Sequence, residues 1–283
     1  MISPRPPGGI ALRRLVLLAL LLQGAPALAE VPCSREYRVG VSPIGYSYYL
    51  DKQGQPTGSS IDFYAELSRR SGCRFRIDPM PRARAWYLLE RHEVDLITPT
   101  VRTPDRDHLA RFVEYFKTRS DLLIRRELAP HINSLDAFLD DPALQLGMVR
   151  GHVNGPVLDN RLARLPPERL SLSPDAHNVF VRLMAGRLDG TLMPAGLYQK
   201  EVDSLGLHDH LQLIRLPEAD ALPTGAYLSR LSLTLGERRH LERHIRAMLE
   251  DGTLRTLLSR RHGKQLTDRY YEIPAPDTLS VAD

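Results

Sequence analysis

Several things are scarce in this chain. Cysteine occurs only twice, at Cys33 and Cys73. No apolar run approaches the roughly 20 residues that a bilayer span requires; residues 15–22, the longest, hold eight. There is no G-x-S-x-G, H-E-x-x-H, P-loop or G-x-G-x-x-G, so the commonest hydrolase, zinc-protease and nucleotide signatures are missing. No fixed-period repeat occurs, which excludes a solenoid. Charge of one sign is also lacking. The 38 basic and 34 acidic residues give +4, but three of the arginines lie in the first 29 residues. Without them 35 basic face 34 acidic residues, about +1. A whole-protein basic footprint for nucleic acid is therefore absent.

What is present begins with an export leader. Arg5, Arg13 and Arg14 precede the apolar run, and Ala27-Leu-Ala29 offers a small-residue cleavage site. Residues 1–29 read as a signal peptide and the mature chain as a soluble periplasmic protein. Glu30-Val-Pro before Cys33 is no lipobox. An even cysteine count in an exported chain suggests one disulfide. Cys33 precedes the first strand and Cys73 the second, and such strands would be neighbours. A Cys33–Cys73 bridge would close a loop of about 40 residues, worth about 4 kcal/mol in the chain-entropy model.

Along the mature chain, strand and helix patterns alternate. Residues 37–41, 74–78, 94–98, 112–116, 121–125, 144–149, 170–172, 188–193, 211–216 and 224–229 read as strands. Helices are expected over residues 61–71, 82–91, 134–139, 237–249 and 254–260, and around Val179, Leu183 and Met184. This alternation implies an α/β fold of mostly parallel sheets flanked by helices. About 250 mature residues suit two such lobes, joined by two hinge crossings around a cleft that can shut.

One stretch organises the chain: Val94-Asp-Leu-Ile-Thr-Pro-Thr-Val-Arg-Thr-Pro-Asp-Arg106. Val94, Leu96 and Ile97 read as a buried strand stopped at Pro99. Thr103 can cap a helix with Pro104 at its first position. Arg106 then sits one turn in, at the carboxyl end of a strand, where open α/β sheets bind ligands. Its guanidinium is a fork for a carboxylate or phosphate.

Glu93-Val-Asp-Leu96 and Arg102-Thr-Pro-Asp-Arg106 resemble the "G-x-V-D-L … T-x-x-R" signature of the family 3 periplasmic solute-binding proteins. These are the receptors of polar amino acid ABC importers. Asp51-Lys-Gln-Gly-Gln-Pro-Thr-Gly58 resembles the family's "D-x-x-G-x-x-x-G" before the first helix, and the resemblance runs from about Tyr37 to about Gly263. It implies the type II periplasmic binding protein fold, with lobe 1 over residues 30–123 plus 226–283 and lobe 2 over residues 124–225. It also implies that Arg106 holds a ligand carboxylate, beside Thr98 and Thr100. An aromatic of the first loop, Tyr46 or Tyr48, would stack on the ligand. The lobe 2 turn at Gly151, His152 and Asn154 would close on the carboxylate. The expected partners are a small carboxylate-bearing ligand and an ABC permease of the inner membrane, with no nucleic acid, no cofactor and a monomeric receptor.

Two positions depart from the family pattern. Its Thr or Ser five residues before the Arg is Val101, and its ammonium-binding Asp falls at Pro194. The carboxylate grip survives better than the amine grip. Glu218 or Asp220 could replace the lost acid, and Arg82 or Arg84 could add a second basic contact. His240 with His244, and His208-Asp-His210, are better read as solvated than as metal sites. Enzymes also occur on this fold, among them exported dehydratases of prephenate-like acids, for which His152 is the one base to be placed near the cleft. A third reading is a ligand-presenting sensory receptor.

Overall fold

The computed structural model describes residues 33–274 and the single residue Ile2, so the rest of the expected leader falls outside it. The chain opens with β1 (Glu36–Val41), a small hairpin of β2 (Tyr49–Leu50) and β3 (Pro56–Thr57), and α1 (Ser59–Ser71). Next come β4 (Arg74–Pro79), α2 (Arg82–Glu90), β5 (Leu96–Val101) and β6 (Ala110–Thr118). A second run holds β7 (Ser120–Arg125), α3 (Leu135–Asp140), β8 (Leu146–Val149), α4 (Pro156–Leu162) and β9 (Leu170–Ser173). It continues with α5 (Ala176–Met184), β10 (Gly190–Pro194), α6 (Ala195–Leu205) and β11 (Leu211–Ile214). The chain then returns through β12 (Leu222–Ser229) to α7 (Leu235–Glu250), α8 (Thr253–His262) and α9 (Lys264–Tyr270).

Two five-stranded sheets result, in the orders β4-β1-β5-β12-β6 and β11-β7-β10-β8-β9. In each, four strands run one way and one runs against them. The reversed strands, β12 and β7, are those that carry the chain across from the other sheet. Crossing occurs at Arg119 and between Ile214 and Leu222. The expected lobe boundaries at 123/124 and 225/226 therefore each fall inside a strand. Strand propensity marks residues 120–125 as extended but says nothing about which sheet they join.

Alternation of side chains explains the layers. On β5, Leu96 packs with Tyr37, Val39, Val41 and the apolar faces of α1, α7 and α8, whereas Ile97 packs with Trp86 and Leu89 of α2. The second sheet divides likewise. Leu122 and Ile124 of β7 face Phe138 and Leu158, and Leu123 faces Phe180 and Tyr198. Buried Arg169 donates to the carbonyls of Phe138, Leu139 and Leu144 at 3.1, 2.7 and 3.0 Å, which ties the end of α3 to the strand beyond it.

Cys33 and Cys73 are disulfide-bonded, with Cα atoms 5.3 Å apart, and the strands they precede pair in parallel at Glu36↔Arg74. Among the described residues no helix is long and apolar enough to cross a membrane.

The organising stretch differs from expectation in two ways. Pro99 does not stop the strand, since β5 runs on to Val101 with a cis Thr98–Pro99 bond. A proline costs only its own donor, and the ladder to β12 resumes at Thr100↔Gly225. Beyond the strand the chain forms a single 3-10 turn, Pro104–Arg106, in which the Thr103 side chain makes no cap bond. The Thr103 backbone N–H donates instead to the Tyr227 hydroxyl at 2.9 Å, pinning the turn to β12.

Candidate functional site

A cavity of about 770 Å³ opens between the two sheets, lined from both. The first sheet's side contributes Ser42 to Gly45 after β1, Arg82 after β4, Thr98 to Val101 of β5, and Arg106. The second contributes Val149 to Val153 after β8, Pro174 to His177 after β9, and Pro194 and Leu197 after β10. Nearly all of these lie at carboxyl ends of co-directional strands, where chain turns outward and leaves a crevice.

Arg106 is placed by packing rather than by an ion pair. Its guanidinium lies 4.3 Å from the centroid of Trp86, held by the buried face of α2. The nearby Asp107 is occupied by Arg102, at 2.6 Å. Arg82 donates to the Pro99 carbonyl at 2.6 Å, and burial, with the positive charge of Arg106 adding, pushes its guanidinium down to about 10. Among the described residues neither Arg82 nor Arg106 meets a carboxylate, while Arg35, Arg70, Arg125 and Arg261 all do.

His152 also lines the cavity. Its Nε2 is buried with no hydrogen-bond partner, and burial, reinforced by Arg82, pushes the ring down to about 4. The imidazole is thus neutral at pH 7. Gly151 turns with φ 73° and has open space where a Cβ would stand, so the backbone meets the cavity bare. Thr98 and Thr100 are buried in the lining, their hydroxyls 3.5 Å from the Tyr115 hydroxyl and the Val101 carbonyl. These long contacts leave both hydroxyls free to turn to a ligand.

Other expected residues sit elsewhere. Tyr46 reaches over the cleft edge, its hydroxyl donating to Asp203 of α6 at 2.7 Å, and Tyr48 is buried in the first sheet's core. Neither belongs to the cavity lining. The loop turns them away because Gly45, at φ 48°, sits so close to α6 that a Cβ would stand 2.0 Å from the Gly196 carbonyl oxygen. Asn154 is fully buried behind the turn, its Oδ1 accepting from Ser120 at 2.8 Å. Arg84 is exposed outside the cavity. Glu218 pairs with Arg161, and Asp220 accepts from the Val157 N–H, so neither replaces an acid at Pro194, which does line the cavity. Asp189 pairs with Arg125 at 2.7 Å, away from the cleft.

Sequence reasoning missed much of the wall. Phe116, Leu254, Leu257, Leu258, His262 and Tyr271 also line it. His262 is pushed down to about 4 by burial, and the Tyr271 hydroxyl lies 3.2 Å from its Nε2. No local pattern separates such residues from ordinary core; they meet the cavity only because the C-terminal helices fold back over β6. Asp175 and Glu201 are the lining's two acids. Asp175 caps α5, accepting from Asn178 N–H at 2.8 Å, and Glu201 holds His177 Nδ1 at 2.9 Å. The cap was legible, since Ser-Pro-Asp follows a short strand.

Among the described residues nothing in the lining assembles a metal site. His240 comes within 4.8 Å of the two cysteine sulfurs, but those are bonded to each other, and His240 stacks edge-on against His244.

Residues 37–264 match the model of the bacterial extracellular solute-binding proteins, family 3. No curated protein matches the chain. Solved structures do. The arginine-, lysine-, histidine-binding protein ArtJ from Geobacillus stearothermophilus is 17% identical, with 83% of this chain and 99% of that one covered and a TM-score of 0.69. The ancestral amino acid-binding protein AncCDT-1, a precursor of cyclohexadienyl dehydratase, is 19% identical over 80% and 95% of the chains, with a TM-score of 0.66. A histidine kinase sensor domain with similarity to periplasmic binding proteins is 14% identical over 86% and 99%, with a TM-score of 0.69. The fold is the two-lobed type II periplasmic binding protein fold.

Proposed function

The chain belongs to family 3 of the bacterial extracellular solute-binding proteins, and from that premise we propose that its cleft binds a small carboxylate-bearing solute, an amino acid or a relative. In this reading lobe 1 carries the first sheet and lobe 2 the second, and the protein works in the periplasm after its leader is removed. The loaded receptor delivers its solute to an ABC importer.

One observation carries this reading. Arg82 and Arg106 line a cavity between two lobes, and among the described residues no carboxylate answers them. The buried guanidinium of Arg82 is repelled by the charge of Arg106, and an anion brought between the two relieves that cost while gaining charge-assisted hydrogen bonds. Thr98, Thr100 and the bare backbone at Gly151 supply further polar contacts. A solute touching both lobes favours the closed state by as much as its contacts there exceed those in the open state.

A thermal-shift panel of amino acids and organic acids tests the proposal on the mature protein. A true ligand at 100 times its Kd adds about 2.7 kcal/mol of stability. Stabilisation by at least one carboxylate, absent in Arg106→Ala, is the expected result. A panel in which only uncharged or cationic solutes stabilise would contradict it.

Binding without turnover is the proposal, because the neutral His152 has no acid partner and its depressed pKa makes it a weak base. Prephenate and arogenate incubated with the protein should disappear no faster than in its absence.

A further inference from the structure

The charge and shape of the cavity wall say more about the solute than that it carries a carboxylate. Three arginines line the cavity, Arg82, Arg106 and Arg150, against two acids. Both acids are committed. The carboxylate of Asp175 is taken up at the start of α5, by the Asn178 N–H at 2.8 Å and the Asn178 amide at 3.0 Å. Glu201 is buried, with one oxygen on His177 and the other 3.8 Å from Lys200. An ammonium group leaving water needs a carboxylate or several acceptors around it. The lining around Arg82 and Arg106 offers the hydroxyls of Thr98 and Thr100 and a neutral imidazole, but no uncommitted carboxylate, and the position that would supply one is Pro194.

Another part of the lining is mostly apolar. Phe116, Leu254, Leu257, Leu258 and Tyr271 form it, with His262 beside the Tyr271 hydroxyl. At about 770 Å³ the cavity as a whole lies in the upper part of the size range of drug-sized ligand sites, which is about 300–1,000 Å³. A lining that is cationic in one part and apolar in another suits a molecule with an acid at one end and a hydrocarbon body at the other.

We infer that the solute is an organic acid without an ammonium group, a 2-oxo or simple carboxylic acid, whose aryl or long alkyl body fills the recess between β6 and α8. The inference rests on the carboxylate reading of Arg106 and narrows it. It separates this cleft from one built for a zwitterion, since an α-amino acid would bring its cation to a wall already positive.

Isothermal titration calorimetry with three probes tests it: phenylpyruvate, L-phenylalanine and pyruvate. Phenylpyruvate and phenylalanine share carboxylate and body and differ in the ammonium group; pyruvate lacks the body. Phenylpyruvate is expected to bind at least tenfold tighter than either of the others. Phenylalanine binding as tightly as phenylpyruvate overturns the ammonium exclusion, and pyruvate doing so overturns the apolar recess. In both cases the carboxylate reading stands if Arg106→Ala abolishes the binding. Phenylpyruvate affinity unchanged in Arg106→Ala overturns the carboxylate reading as well, whereas no heat from any probe overturns the narrowed inference alone. A gain-of-function variant adds a second check. Pro194 ends β10 and lines the cavity. Pro194→Asp sets an acid in the lining and should raise phenylalanine affinity at least tenfold while lowering that for phenylpyruvate. No change in the ratio of the two would contradict the inference.

Discussion

The two lobes share an architecture and differ in what they bring to the cleft. Each is a five-stranded sheet with four strands one way and one against. Lobe 1 presents Arg82, Arg106 and the apolar recess; lobe 2 presents a turn at Gly151, His152, and the paired acids Asp175 and Glu201. Similar frames thus carry different linings: two of the three cavity arginines belong to lobe 1, and Arg150 with both acids to lobe 2. The cause is local. In lobe 1 the strand-end arginines rest on Trp86 and a carbonyl, which leaves their charge unspent. In lobe 2 Asp175, just after β9, is consumed as a helix cap, and Glu201, within α6, by a histidine.

The lobes also differ in how they are held, and the largest predicted effect lies there. Lobe 1 has the Cys33–Cys73 bridge, 40 residues apart in sequence, and lobe 2 has no cysteine. Replacing both cysteines by serine should cost about 4 kcal/mol, read as a lower midpoint in urea under non-reducing conditions. A midpoint unchanged by the replacement would show that the bridge adds nothing to lobe 1. The lobe 2 counterpart is Arg169, whose loss leaves three carbonyls without their donor. Arg169→Met should cost about 3 kcal/mol, since each buried acceptor left unsatisfied carries about 1 kcal/mol or more.

Two histidines sharpen the comparison. Both His152 and His262 are pushed down to about 4, but Arg82 contributes only to His152, and burial alone acts on His262. In an NMR titration Arg82→Ala should therefore raise the His152 pKa and leave that of His262 in place. The direction of the shift also fixes its sign for stability. An imidazole with a folded-state pKa below its unfolded value of about 6.5 stabilises the fold at neutral pH, and that share is lost as pH falls from about 6.5 towards 4. Equal shifts of both rings in Arg82→Ala would contradict the assignment.

The smallest effect concerns the contact between lobes. Tyr46→Phe removes the 2.7 Å hydrogen bond to Asp203 across the cleft edge. It should favour the open form by about 1 kcal/mol, seen as a slightly larger radius of gyration in ligand-free solution scattering.

Legibility in the sequence divides along the same line. Lobe 1's β5 was readable from its apolar run, but its end was not: Pro99 stays within the strand, and Thr103 caps nothing because its N–H goes to Tyr227, far away in sequence. The disulfide was readable because its two strands are neighbours in the usual α/β winding, and β1 and β4 do pair in parallel. The loop aromatics were misplaced for a tertiary reason: Gly45 against Gly196 sets the loop's direction, and that contact joins residues about 150 apart. The expected lobe boundaries fell inside strands because a one-residue crossing at Arg119 leaves no linker composition to see. The apolar recess was invisible because Leu254 and Leu258 have the periodicity of any core-facing helix.

The central claim is that lobe 1 supplies an unanswered cationic grip, and Arg106 is where it is tested most directly. Calorimetry with the tightest-binding acid from the panel should show Arg106→Lys weakened at least about tenfold, or 1.4 kcal/mol, since charge is kept and the fork lost. Arg106→Ala should be weaker still, while its stability without ligand should fall by no more than about 1 kcal/mol, the scale of an exposed cation–π contact. Wild-type affinity in Arg106→Ala would contradict the account and move the grip to Arg82.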